Sequence, residues 1–289
     1  MRLSVFDDLR PAAWADDDTL VDLTALVGHA PPARRMTTLI AEWETLGERA
    51  AELVATGPRL PSASVTLRAP QPEPSKIVAA PVNYALHRAE MGGEHGVYAG
   101  QEIQTIETYA GFVKASTSVV GPCEPIELPF PDRRTDYEGE LGVVIGATAR
   151  HVPRSRALQH VFGYVPLLDI TLRGPEDRSF RKSFDTFTPI GPWIVTADEV
   201  GDPADLSFEL RLNGEVRQRA STASLIYDIP RLIELYSSAM TLLPGDLIAT
   251  GTPEGVGALE PGDEIDLRIE RVGALRMRVD ARDRSAARA

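Results

Sequence analysis

The stretch Asp136-Tyr137-Glu138-Gly139-Glu140-Leu141-Gly142-Val143-Val144-Ile145-Gly146 constrains this chain most. Its second half, Leu141 to Ile145, is an apolar, β-branched run closed by a glycine, and it reads as a buried strand. Its first half puts two carboxylates at i and i+2. On a strand such residues point to the same face, so Glu138 and Glu140 aim at one spot. Two like charges that close either raise each other's pKa or require a cation between them. A divalent hard cation with oxygen ligands is the natural partner. The competing reading is a solvated strand end with two surface glutamates.

The rest of the chain bears on that choice. A length of 289 residues allows one or two domains, and 43% hydrophobic with 25% charged residues is the composition of a globular protein with a real core. The net charge of −12 argues against a nucleic-acid partner. A small anionic substrate remains compatible, because a bound cation reverses the local field. The single cysteine, Cys123, forms no internal disulfide and fits a reducing compartment. No run approaches the ~18 apolar residues of a membrane span. The start, Met1-Arg2-Leu3-Ser4, turns acidic by Asp7-Asp8 without an apolar leader core. A cytoplasmic enzyme, with no nucleic-acid or membrane partner, is the expectation.

Residues 1–75 read as a small leading domain and linker. Short strands are expected near Leu3–Phe6 and over Thr19 to Leu26. One helix is expected from Met36 to Thr56, ended by Gly57-Pro58. The proline-bearing Leu60 to Ser75 reads as the linker. From Lys76 the character changes. Lys76 to Ala80 is strand-like, and Tyr84 to Met91 makes about two helical turns stopped by Gly92-Gly93. On that helix His87 and Glu90 share a face at i, i+3. A carboxylate beside an imidazole raises its pKa and orients it, which makes an acid/base pair; a surface pair is the plainer alternative. The polar segment Gly92 to Thr108 could be a mobile lid.

Gly163 to Thr171 is another apolar run with a lone acid, Asp169, near its end. Such an acid is paired, ligated or a turn cap. Lys182 is the one amine in the aromatic-rich Phe180 to Val195 segment. It is either a surface lysine or a charge held to bind an anion or stabilise an enolate. Phe208 to Arg219 reads as a hairpin with Asn213-Gly214 as its turn. Pro230 to Met240 reads as a core helix, and Glu264 to Ala281 as a last hairpin. Leu247 to Gly257 is a strand entering a glycine-rich loop that can present N–H groups and hydroxyls to an anion. It lacks nucleotide-loop spacing. Residues 282–289 are expected to be a frayed tail.

Several of these pieces together resemble the fumarylacetoacetate hydrolase (FAH) family: Asn83-Tyr84-x-x-His87-x-x-Glu90, Asp136 to Leu141, Gly163-Tyr164 … Asp169 … Arg173, Lys182 to Phe187 with Pro189-x-Gly191-Pro192-Trp193, and Thr250-Gly251-Thr252-Pro253-x-Gly255-Val256-Gly257. They run in the family's order and cover about residues 76–281. The resemblance implies an α+β, β-rich fold, a mixed β-sandwich roll, in a homodimer. It implies Mg²⁺ or Mn²⁺ held by Glu138, Glu140 and Asp169, a set that leaves octahedral positions open for water and substrate. It implies that His87 and Glu90 activate water, that Lys182 stabilises an enolate, and that Arg173 and Thr252 grip substrate oxygens. The activity implied is hydrolysis of a C–C bond in a small 2-oxo or 2,4-dioxo acid, acylpyruvate-like. Decarboxylation of a 2-oxo diacid, isomerisation of a hydroxy-dienedioate, or silent carboxylate binding are the alternatives. The sequence departs from the family pattern at Ala80-Pro81-Val82, Ala115 and Leu168. It departs again at Leu172-Arg173-Gly174-Pro175-Glu176, where Glu176 replaces an amide that often touches substrate.

Overall fold

A computed structural model describes residues 1–94 and 96–282; the tail beyond lies outside the described residues. The strand Gly139–Ile145 is buried along its whole length. It pairs antiparallel with Val161–Leu168 on one side and with Leu247–Ala249 on the other. Its two faces meet different cores, which explains an apolar run without alternation. Leu141, Val143 and Ile145 join a cluster with Tyr164, Leu210 and Leu267. Val144 joins a second cluster with Leu3, Val5, Leu39 and Leu167.

The central sheet continues from Leu247–Ala249 to Ile77–Ala79, in parallel, and then to Phe112–Lys114 at its edge. In the other direction Val161–Leu168 pairs with Ile194–Thr196, which pairs with Arg2–Phe6. The leading strands Arg10–Trp14, Thr19–Asp22 and Arg59–Pro61 follow outward. A five-stranded sheet, ordered 215–221, 207–212, 264–269, 273–281, 126–128, packs against the first face. The fold is thus the α+β, strand-rich roll anticipated. Among the described residues no helix is long and apolar enough to cross a membrane.

Local expectations hold where the turn or cap chemistry is explicit. Asn213 and Gly214 both take positive φ, 52° and 82°, as a tight two-residue hairpin turn requires. The late helix spans Ile229–Ala239, capped by Asp228 through the Arg231 N–H at 2.9 Å. The single helix expected over 36–56 is instead two, Arg35–Ala41 and Trp43–Thr56. They meet at Glu42, whose ψ of 13° departs from helical geometry. The kink lets Trp43 meet Phe162 edge-on at 5.3 Å, a tertiary contact that helical periodicity does not reveal. The proline-bearing segment also contains a short strand, Leu67–Arg68, bound to Arg2–Phe6.

Candidate active site

The ends of three strands bring the acids together. Glu138 occupies the one-residue gap between the strands Thr135–Tyr137 and Gly139–Ile145. Glu140 is the second residue of the latter, and Asp169 directly follows Val161–Leu168. Pairing of Gly139 with Leu168 sets Asp169 opposite Glu138, and the Asp169 N–H donates to the Glu138 carbonyl at 2.8 Å. One oxygen from each of the three carboxylates lies within 4.8 Å of the others, and all three residues are buried. The same-face pair is therefore formed in spite of a break in the strand between its members.

Glu140 accepts the Gly251 N–H at 2.7 Å. Gly251 holds φ +100°, and a Cβ there would come within 2.7 Å of the Asn83 Cβ, so only glycine fits this approach. Asn83 is itself fully buried. Its amide donates to the carbonyls of Tyr227 and Thr250 at 2.9 and 2.8 Å and accepts the Tyr227 N–H at 2.7 Å. It is the clamp that seats the 250–257 loop.

Cations surround the acids. The Lys182 ammonium donates to Glu138, Asp169 and the Thr171 hydroxyl at 2.7, 2.5 and 2.7 Å. Lys114 donates to Asp169 at 2.5 Å and to the Phe187 carbonyl at 2.7 Å. Burial alone would raise the Glu138 carboxyl, but Lys182 and Arg173 hold it down to about 2. Burial opposes the charge on Lys182 as well, yet Asp169 and Glu138 keep its pKa above the usual lysine range. Burial depresses Lys114, with Asp169 opposing. Glu140 is the exception among the acids: burial, then the charge of Asp169, push it well above the ordinary glutamate value. Negative charge at that corner is undercompensated by the protein. A corner of three hard oxygen donors with that surplus fits Mg²⁺ or Mn²⁺.

His87 is buried on the helix Ala85–Gly92 and lines the same cleft as the three acids. Its Nδ1 faces Glu90 at 3.4 Å, and Glu90 accepts the Gly255 N–H at 2.9 Å. Burial would raise Glu90, but these two contacts hold its carboxyl below the usual range. Thr252 lines the cleft and accepts a hydrogen bond from Gln218 at 2.8 Å. Arg173 also lines the cleft, yet it is engaged within the protein. Its Nε donates to Asp136 at 2.8 Å and its Nη2 to Glu138 at 2.9 Å. Glu176, the residue in place of the family's amide, does not reach the cleft wall. It forms a two-pronged pair with Arg133 at 2.9 and 2.8 Å.

Four residues carry roles that the sequence reading did not assign. Lys114 looks like an edge-strand lysine in the sequence, and only the fold turns it inward. Gln218 sits in a run of charged, exposed neighbours and carries no local signal. Arg178 and Arg181 line the cleft from the short turn Arg178–Arg181. The motif beginning at Lys182 starts one residue after Arg181.

This fold with this cluster defines a metal-centre enzyme class, and the comparisons agree. A family model described as the fumarylacetoacetate (FAA) hydrolase C-terminal region matches residues 76–280. The chain belongs to that family of enzymes. It is 42% identical over 281 residues to a maleylpyruvate hydrolase of Aquipseudomonas alcaligenes, covering 95% of this chain and 98% of that one. A crystal structure of maleylpyruvate hydrolase from Sphingobium sp. SYK-6, in complex with manganese(II) ion and pyruvate, superposes with a TM-score of 0.86 at 41% identity. That match covers 98% of this chain and 100% of the other. A probable 2-hydroxyhepta-2,4-diene-1,7-dioate isomerase from Mycobacterium abscessus matches at TM-score 0.78 and 30% identity, over 98% and 100% of the two chains.

Proposed function

We propose that this protein is a divalent-metal-dependent hydrolase that cleaves a C–C bond in an acylpyruvate-like 2,4-dioxo acid. The observation that carries the reading is the convergence of three buried carboxylates, Lys182 and the His87–Glu90 pair on one cleft. The maleylpyruvate hydrolases to which the chain is similar support it. Glu138, Glu140 and Asp169 would hold Mn²⁺ or Mg²⁺. When bound, such a cation supplies Lewis-acid polarisation of the oxo acid's oxygens.

The chain's own groups account for the remaining work. Glu90 holds His87 through Nδ1, leaving Nε2 to take a proton from water. The water oxygen bonds to the acyl carbon. The C–C bond to the neighbouring methylene breaks, and its electron pair passes to the 2-oxo acid fragment as an enolate. The Lys182 ammonium, which sits beside the acid cluster, would stabilise that developing negative charge. The proton held on His87 returns to the methylene carbon, so a carboxylic acid and a 2-oxo acid leave. Gln218 positions Thr252 at the cleft wall, and Asp136 keeps Arg173 against Glu138. We propose the cytoplasm as the location and a homodimer as the working form, supported by the lone cysteine and the family resemblance respectively.

Decarboxylation of a 2-oxo diacid and isomerisation of a dienoate use the same cluster without consuming water, so the test follows the water oxygen. In H₂¹⁸O, an acylpyruvate should release carboxylic acid carrying label beyond control exchange. His87→Ala should lower kcat by about 10²–10⁴-fold, with calorimetric Mn²⁺ binding retained. Asp169→Asn should lose that binding. Turnover of oxaloacetate to pyruvate with no acylpyruvate cleaved would replace the hydrolase by the decarboxylase.

A further inference from the structure

The edge strand Phe112–Lys114 carries an ammonium, a group that edge strands ordinarily turn to water. Here Val113 takes the outward face, 41% exposed, and its two neighbours face in. Lys114 is 1% exposed. Phe112 lines the cleft, with its ring centroid 5.3 Å from the Lys182 Nζ. A buried ammonium is costly, and an apolar side chain would fill the same space with less penalty. What the ammonium adds is a directed bond. Lys114 Nζ donates to Asp169 Oδ1 at 2.5 Å and to the Phe187 carbonyl at 2.7 Å. The same carbonyl accepts the N–H of Ile170, the residue after Asp169, at 3.1 Å. Carboxylate, ammonium and backbone thus close a ring, and Asp169 cannot turn its carboxylate without breaking it. Lys114 is not part of the cleft wall, so it acts through Asp169 rather than on substrate.

The other two acids are tied in the same manner. Glu138 Oε1 accepts Arg173 Nη2 at 2.9 Å, and Glu140 Oε2 accepts the Gly251 N–H at 2.7 Å. Three separate anchors therefore hold one oxygen of each carboxylate. The second oxygens of Glu138 and Asp169 lie together against Lys182, at 2.7 and 2.5 Å. A carboxylate with one oxygen taken by a fixed donor offers a cation its other oxygen alone. Ca²⁺ takes up to eight oxygens, often both of one carboxylate, whereas Mg²⁺ and Mn²⁺ are satisfied by six. Single-oxygen ligands suit the smaller ions.

We infer that Lys114 is a positioning residue that restricts Asp169 to one ligating oxygen, so that the acid cluster favours Mg²⁺ and Mn²⁺ over Ca²⁺. The inference rests on the reading that Glu138, Glu140 and Asp169 hold the cation, and it is independent of the reaction that follows. Among the three anchors Lys114 is the one open to a clean test: Arg173 also lines the cleft, and the Gly251 donor is backbone.

The test is calorimetric titration of the metal-free, full-length protein with Mn²⁺ and with Ca²⁺, without substrate. The wild type should bind Mn²⁺ at least about tenfold more tightly. Lys114→Met frees Oδ1, so the ratio of the two affinities should fall by about tenfold or more, the scale on which partners of metal ligands act. Removing a positive charge by itself strengthens both ions alike, because both are divalent, and leaves the ratio where it was. Lys114→Gln keeps an N–H donor on a shorter chain and should lower the ratio by less. It supplies the reading if Lys114→Met does not fold, as circular dichroism would report. Equal affinities in the wild type, or parallel shifts of both ions in a folded variant, would overturn the inference. A wild type that binds neither ion would sink the metal reading itself. Mn²⁺-selective wild type with an unchanged ratio in Lys114→Met would sink the role of Lys114 alone.

Discussion

Gln218 is the single buried position in the Glu215–Val216–Arg217–Gln218–Arg219 run, and its amide works in two directions. The Oε1 accepts the Gly139 N–H at 2.9 Å, between Glu138 and Glu140, and the Nε2 donates to Thr252 at 2.8 Å and to the Pro253 carbonyl at 3.0 Å. One side chain thus ties the strand bearing Glu140 to the loop bearing Thr252. Gln218→Leu fills the space but leaves buried polar groups unpartnered, so it should destabilise the fold by about 1–3 kcal/mol. Urea unfolding measures this, and a change below about 0.5 kcal/mol, the scale of a neutral surface change, would show the bonds to be dispensable. Residue-scale legibility was uneven for a physical reason. His87 with Glu90, and Glu138 with Glu140, declare themselves because partners three or two apart share a face by local geometry. Gln218 and Lys114 have partners tens of residues away, and no local spacing records them.

At the scale of elements, the strand pair Arg10–Trp14 and Thr19–Asp22 is pinned at its end by Asp22. That carboxylate accepts the Thr24 N–H at 2.8 Å and pairs with Arg10. Partial burial would raise its pKa, but the bonds from Thr24 and Arg10 outweigh burial and hold it below the aspartate value. The unfolded chain therefore takes up the proton first as pH falls. The stability contributed by Asp22 is complete above about pH 4, the unfolded aspartate value, and is lost as pH falls through the lower folded value. The Tm difference between wild type and Asp22→Asn should be widest near pH 7 and close below about pH 4. A difference independent of pH would show that the ionised carboxylate is not the cause. Most element types followed the sequence pattern, while breaks and the short strand Leu67–Arg68 did not. The kink at Glu42 and the strand gap at Glu138 answer to Phe162 and to the acid cluster, both supplied by distant chain.

Over the whole molecule, strands from residues 1–75 extend the central sheet through the pairing of Arg2–Phe6 with Ile194–Thr196. We propose that residues 1–75 and 76–281 are nonetheless two units, supported by the prolines between residues 58 and 74 and by a family match that begins at residue 76. A fragment of residues 76–282 should keep a strand-dominated circular dichroism spectrum, with a lower Tm because one sheet edge loses its partner. In the same light-scattering run the full chain should show twice its 31.4 kDa mass. A disordered fragment would refute the division, and a monomeric full chain would refute the dimer. The sequence by itself determined the strand-rich class, the same-face glutamates, the His87–Glu90 pair and the glycines of the 250–257 loop, because each depends on periodicity or backbone freedom over a few residues. Only the tertiary structure decided that Asp169 joins the glutamates rather than capping a turn, and that Lys114 points inward. It also decided that Arg173 is held by Asp136 and Glu138, and that Glu176 leaves the cleft for Arg133. Those outcomes depend on which charges meet after distant strands pair, and burial then sets how strongly they act on one another.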